Sequence, residues 1–273
     1  MTVTHDSLGE EPRPRLSQAL AVQLRVIGAL MMREIQTRYG RKNIGFLWII
    51  GEPILFTFGV IAMRAFLPFG LEGHGIGLVP FLMTGYMPFL VYRHLLAHAI
   101  HCIRTNQHVL YHRQVKIIDL FIVIIVLETC GVCMAFACGV ALFYSLGLMD
   151  LPKNLLLLYA GWFYAIWFCA AFAVLVGAAS TLTPIIEKLY NPVSYLSLPI
   201  SGAFYMVSWL PGPYQKIAEW VPFVNYFEML RSAYFGPLVH PHYDVAYLTS
   251  ICLVLTFGGL VMLRYVRPLL AIE

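Results

Sequence analysis

The chain has 273 residues, of which 60% are hydrophobic and 12% charged, with a formal net charge of +4 and a mean hydropathy of +0.75. So much apolar surface excludes an ordinary soluble domain, and since each crossing takes about 20 apolar residues, the length holds about six crossings in one all-α integral membrane domain. The small positive charge reads as membrane topology and excludes a nucleic-acid surface.

Residues 1–15, with Asp6, Glu10, Glu11, Pro12, Arg13 and Pro14, contain no apolar core or cleavage site of signal-peptide type and read as a disordered cytoplasmic tail. From 16 to 43, Leu16, Leu20, Leu24, Ile27, Met31 and Ile35 recur at three- and four-residue steps, while Arg25, Arg33 and Gln36 project elsewhere. This predicts an amphipathic helix lying along the membrane interface. The remainder, 44–273, is the membrane domain, with apolar runs at about 44–67, 76–96, 118–146, 155–182, 192–210 and 245–264.

Six spans with the N-terminus inside put 14 of the 18 Lys and Arg on the cytoplasmic side and return the C-terminus there. Arg64, Lys153, Lys216 and Arg231 fall outside. The main inner loop is then 97–117. The segment 211–243 lies outside and is broken by Pro211, Pro213, Pro222, Pro237 and Pro241, with Trp220 among its interface anchors. Two short helices near 213–220 and 224–235 are expected there. They dip back beside an exit path, since non-helical backbone at membrane depth needs protein or water around it. Trp220, Asn225, Glu228 and Arg231 are the candidate gate, against the plainer alternative of a periplasmic cap with a Glu228–Arg231 pair at i, i+3.

The first span opens with Ile44-Gly45-Phe46-Leu47-Trp48, preceded by Arg38-Tyr39-Gly40-Arg41-Lys42-Asn43. A basic anchor with an aromatic belt accounts for that boundary, but not for Glu52-Pro53 about two turns into the span. An ionised Glu there costs roughly 2.5 to 3.5 kcal/mol against lipid, so it faces other helices or water, and Pro53 removes a backbone hydrogen bond. The two fit a helix bearing on a transport pathway, or a carboxylate satisfied by a neighbouring helix.

The runs Arg38-Tyr39, Ile44-Gly45-Phe46-Leu47-Trp48 and Glu52-Pro53 resemble the start of ABC-2 type permeases that export polysaccharides, and Glu52 resembles the capsular branch. The similarity extends to Leu110-Tyr111-His112-Arg113-Gln114-Val115-Lys116-Ile117-Ile118-Asp119 and to Val221-Pro222-Phe223-Val224-Asn225 followed by Glu228 and Arg231. The resemblance implies the permease subunit of an ATP-driven exporter of lipid-linked capsular polysaccharide, multi-pass in the bacterial inner membrane. Two copies would assemble with two cytoplasmic ABC ATPase subunits, a co-polymerase-type adaptor of the inner membrane and periplasm, and an outer-membrane polysaccharide export protein. None of the five lysines is followed by Ser or Thr, so the chain has no phosphate loop of its own. It therefore needs no cofactor, and ATP and Mg belong to the partner.

On this reading Asn106, Gln107, Tyr111, Arg113, Gln114 and Lys116 form the ATPase coupling surface, the alternative being a basic loop that serves topology alone. The substrate entrance and pathway are assigned to Arg38, Tyr39, Arg41, Lys42, Trp48, Glu52, Pro53 and Arg93, positive charge suiting an anionic glycan or phospholipid terminus. O-antigen, teichoic acid or a drug would fit the same scaffold. A membrane-embedded hydrolase is the remaining class, and it has only a weak serine motif around Ser201, with no histidine in a nearby span to act as base.

His94, His98 and His101 share one helix face at i, i+4 and i+7 and could ligate a metal. With no carboxylate between Arg93 and Lys116, an interface with anionic headgroups or a partner is the preferred reading. The six cysteines read as packing residues, Cys130 and Cys133 included. Glu128, inside the third span, requires a polar partner that the sequence does not name.

Overall fold

The computed structural model describes residues 16–39, 44–64, 76–111 and 114–270. Among the described residues the fold is entirely helical. The segment expected to be helical from 16 forms α1 (Leu16–Tyr39), followed by α2 (Ile44–Arg64), α3 (Leu78–Thr105) and the single turn α4 (Gln107–Leu110). Next come α5 (Ile117–Ser145), α6 (Leu155–Ser180) and α7 (Ile185–Ile200). Two short helices, α8 (Gly212–Glu219) and α9 (Pro222–Phe235), precede α10 (Val245–Leu270).

The central element is α3. Every residue from Leu78 to Tyr92 is buried, because α5, α6 and α9 surround it and α2 and α7 cover what remains. Contact with α6 is close enough that a Cβ on Gly177 would lie 2.6 Å from the Ala99 carbonyl oxygen. The same approach lets the Ser180 hydroxyl donate to the Ile100 carbonyl at 2.7 Å. Small residues at such crossings let helix backbones come together where lipid supplies no hydrophobic drive.

Helices α5, α6 and the Val245–Pro268 stretch of α10 are long and apolar enough to cross a membrane. They coincide with three of the apolar runs read from the sequence. Their starts are fixed locally. Asp119 accepts the Lys116 N–H at 2.8 Å to begin α5, and Asn154 accepts the Leu157 N–H at 3.1 Å to begin α6. Helix α3 continues beyond the expected span to Thr105, so most of the expected inner loop 97–117 is helical once α4 is included.

The run at 192–210 needs correction. The helix there starts earlier, at Ile185, and stops at Ile200 after only 16 residues, about 24 Å at 1.5 Å per residue. Pro192 and Pro199 interrupt its hydrogen bonding, and Gly202 then takes φ +88, a conformation open to glycine that turns the chain away. Trp209 lies in a separate short 3-10 turn.

Along α1, Leu30 is buried and Val26, Ile27 and Met31 pack on the core, while Leu20 and Leu24 on the sequence-predicted stripe remain exposed. The helix therefore uses the C-terminal part of its apolar face to dock on α5 and α2, leaving the N-terminal part uncovered.

Candidate functional site

Two polar clusters sit near opposite ends of α3, separated by about 25 Å from Phe81 to His98 at 1.5 Å per residue. The first gathers where α1, α2, α3, α5 and α7 meet. Its hub is Glu128, about 16 Å along α5 from Ile117 and buried. Arg38 of α1 donates to Glu128 from Nη1, while its Nε donates to Glu34 one turn earlier at 2.7 Å.

On α3, the four-residue spacing that aligned His94 and His98 in the sequence turns both rings toward the same carboxylate. His98 Nδ1 is 3.1 Å from Glu128, and His94 Nδ1 is 3.5 Å away. His98 Nδ1 also lies 2.9 Å from the His94 carbonyl. Both neighbours of that nitrogen are acceptors, so it carries the hydrogen. The other edge of His94 faces α2, with Nε2 3.8 Å from Glu52, whose second oxygen is 3.9 Å from Arg93. The Arg93 guanidinium lies over the Tyr195 ring of α7 at 5.7 Å.

The carboxylates that the sequence between Arg93 and Lys116 lacks thus arrive from other helices. Each charge removed from water has an opposite partner, the condition under which buried ions persist. Among the described residues no group of three His, Cys, Asp or Glu is arranged to hold a metal. The arrangement is a charged joint, in which a shift of α1 or α2 relative to α3 must break or exchange ion pairs.

Of the residues assigned to the entrance, the structure brings Arg38, Glu52 and Arg93 into this joint. Arg41 and Lys42 lie outside the described residues, as do the side chains of Tyr39, Trp48 and Pro53. Glu34 was not singled out by sequence reasoning, although its i, i+4 spacing to Arg38 is a visible pairing signal.

Below the joint, Arg33 of α1 donates to the Asn106 side chain, which itself donates to the Cys102 carbonyl at 2.9 Å. Asn106 is buried and straps α1 to the end of α3. Gln107, Gln114 and Lys116 are exposed, and Tyr111 is 79% exposed, a large aromatic facing outward. Arg113 lies outside the described residues. Arg104 at the end of α3 pairs with Glu187 at the start of α7 at 2.9 Å.

The second cluster surrounds Arg231 of α9, which is fully buried. Nη1 donates to the Gly202 carbonyl at 2.7 Å and also to that of Tyr205, and Nη2 donates to that of Ala203 at 2.6 Å. The guanidinium stacks over Phe81 of α3 at 4.3 Å. Glu228 accepts the Val207 N–H at 3.0 Å. In place of the i, i+3 pair, both side chains hold the irregular stretch after α7, whose backbone groups have no helix to satisfy them. Asn225 links α8 to α10, donating to the Glu219 carbonyl at 2.8 Å and accepting the Asp244 N–H at 2.8 Å. Trp220 is 74% exposed and stands edge-on to Tyr247.

Ser201 has its hydroxyl occupied by backbone, donating to the Leu198 carbonyl at 2.8 Å and accepting the Ala203 N–H at 3.2 Å.

Helices long and apolar enough to cross a membrane, with buried charge paired where helices cross, define a helical membrane protein. Residues 25–235 match the family described as ABC-2 type transporter, and the chain belongs to that family. It is 37% identical over 247 residues to the capsule polysaccharide export inner-membrane protein BexB of Haemophilus influenzae, covering 90% of this chain and 93% of that protein. To the capsule polysaccharide export inner-membrane protein CtrC of Neisseria meningitidis serogroup B it is 34% identical, covering 90% and 92%. To the polysialic acid transport protein KpsM of Escherichia coli it is 27% identical, covering 89% and 94%.

Proposed function

We propose that the chain is the permease subunit of an ATP-driven exporter that carries lipid-linked capsular polysaccharide across the bacterial inner membrane. The observation that carries this reading is the similarity, over about nine-tenths of the chain, to inner-membrane proteins named for capsule polysaccharide export. The pathway forms between two copies, each with six spans, both termini in the cytoplasm and α8 and α9 re-entrant from the outer side. ATP and Mg are bound by two separate ATPase subunits, and an adaptor and an outer-membrane export protein receive the polymer.

The joint around Glu128 supplies a mechanism. ATPase subunits docked on Gln107, Tyr111, Arg113, Gln114 and Lys116 displace the inner loop, and Asn106 passes the displacement to Arg33 and α1. Arg38 passes it on to Glu128, and His94 to Glu52 of α2. A rigid helix moves as a body, so a small shift at the loop becomes a rearrangement of ion pairs at membrane depth. Arg41 and Lys42 form the positive approach for the lipid-linked end, and Trp48 and Pro53 act with Glu52 in the pathway. Asn225, Glu228 and Arg231 hold the outer gate segment in one shape, with Trp220 at its surface.

Purification with the neighbouring ATPase, followed by ATP hydrolysis with and without lipid-linked capsular polymer, tests the reading. A stable complex whose hydrolysis rises with polymer is expected. Failure of any ATPase to associate refutes it.

A further inference from the structure

His94 stands between two carboxylates that belong to different helices. Its Nδ1 is 3.5 Å from Glu128 of α5 and its Nε2 is 3.8 Å from Glu52 of α2. A neutral imidazole has one N–H and one lone pair, and would turn the lone pair on one of these carboxylates. Only the imidazolium offers a hydrogen to both. The arginines do not make that charge redundant. Arg38 divides between Glu128 and Glu34, and Arg93 stands 3.9 Å from Glu52 with Tyr86 and Tyr195 beside it. Arg33 pairs with Glu34 at 3.8 Å and, among the described residues, with neither Glu52 nor Glu128. On α3 itself, His98 directs Nδ1 at Glu128. From α7, Tyr190 donates to the Arg93 carbonyl at 3.0 Å, and Glu187 serves His101 and Arg104 two turns and more below. α6 carries no charged residue, and Glu228 and Arg231 of α9 belong to the other cluster.

We propose that His94 is held as an imidazolium between Glu52 and Glu128, and that this single proton ties α2 to the α3–α5 pair. The inference concerns how α2 is held and does not depend on the cargo. Loss of the proton acts unevenly on the two carboxylates. Glu128, with its side chain 3% exposed, keeps Arg38 and His98, and the ring keeps its remaining hydrogen toward it. Glu52, 26% exposed, then faces a lone pair with Arg93 at 3.9 Å to hold it, so it turns to water and α2 loses its tie. The tie is present while the ring is doubly protonated and is lost as rising pH removes the second hydrogen, whereas α1 stays docked through Arg38.

Magic-angle spinning NMR of the full-length protein in lipid bilayers, with isotope-labelled histidine rings and glutamate carboxyls, reads the proton without any variant. At pH about 7.5 an unperturbed histidine, with its pKa of about 6.5, is mostly neutral. One of the nine histidines is expected to carry hydrogen on both ring nitrogens there, each close to a glutamate carboxyl carbon. No histidine with that pair of contacts, or one that has them and is neutral, overturns the proposal. Modification of Glu52 by dicyclohexylcarbodiimide, read by mass spectrometry, tests the tie, since this reagent attacks membrane carboxyls that take up a proton and a neighbouring cation opposes that uptake. In His94→Gln, which is polar and cannot be charged, Glu52 should react about threefold faster at neutral pH, the fold-change of one part-exposed ion pair. His94→Lys restores the slow rate. Equal rates in the wild type and His94→Gln, or a His94→Lys rate as fast as that of His94→Gln, overturn the claim that charge at this position holds α2.

Discussion

Replacing Glu128 with Gln keeps its volume and removes the charge on which Arg38, His94 and His98 converge. Breaking a buried ion pair costs about 3 to 5 kcal/mol when the surviving charge is left without compensation. Here the survivors have recourse. Arg38 keeps Glu34 at 2.7 Å, and the His98 side chain is 42% exposed and can turn to water. Gln also retains one acceptor oxygen. The expected loss is therefore about 2 kcal/mol for Glu128→Gln, below the range for a pair whose surviving charge has no recourse. Arg38→Gln alone leaves Glu128 with the histidines and costs a similar amount. Once one partner is gone the second has less to lose, so the double variant falls short of the sum by about 1 kcal/mol or more. Equilibrium unfolding of the full-length protein in mixed micelles measures all three. Single losses that add to within about 0.5 kcal/mol would refute the claim that Arg38 and Glu128 act as one joint. A cysteine pair placed across α1 and α5 gives a second readout, since the joint predicts slower cross-linking in Glu128→Gln.

Other outcomes follow from the same geometry. Glu52→Gln should lower polymer export at least severalfold while leaving association with the ATPase intact, because it removes the carboxylate between His94 and Arg93 far from the exposed loop. Normal export in a vesicle assay would refute the pathway role. Changing Tyr111, Arg113 and Lys116 together to Ala should weaken ATPase association without lowering the melting temperature, since Tyr111 is 79% exposed. Co-purification yield reads this, and an unchanged yield refutes the docking surface. Arg231→Met strips donors from three backbone carbonyls at roughly 1 to 3 kcal/mol for each buried group left unpaired. A total loss below about 1 kcal/mol in thermal unfolding would show that the stretch after α7 does not depend on this side chain.

The legible part of the fold was the part written in apolar runs. α5, α6 and α10 announce themselves because about 20 apolar residues in sequence are both necessary and visible, and α8 and α9 were bounded by their prolines. The α7 region misled because its apolar run continues to residue 210 while its helix does not. Pro192, Pro199 and the φ +88 turn at Gly202 end it, and hydropathy is blind to backbone conformation. α1 was recognised as amphipathic, yet the half of its stripe that docks depends on where α5 lies.

The site divides in the same way. The presence of Glu52 and Glu128 inside apolar helices, and of His94 and His98 one turn apart, is a property of the chain alone, because the cost of a charge in lipid makes each demand a partner. Which partner it receives is decided by the crossing of α1, α2, α3 and α5. Glu128 and Arg38 are 90 positions apart, a separation over which no periodicity extends. Asn106 looked like part of a docking loop and is in fact buried against Arg33, and Arg231 looked like half of a local pair and instead holds three carbonyls. The sequence by itself determined that this is a helical membrane protein needing internal partners for its charges. The tertiary structure alone decided those partners, because ion pairing depends on distance in space, and only helix packing sets that distance.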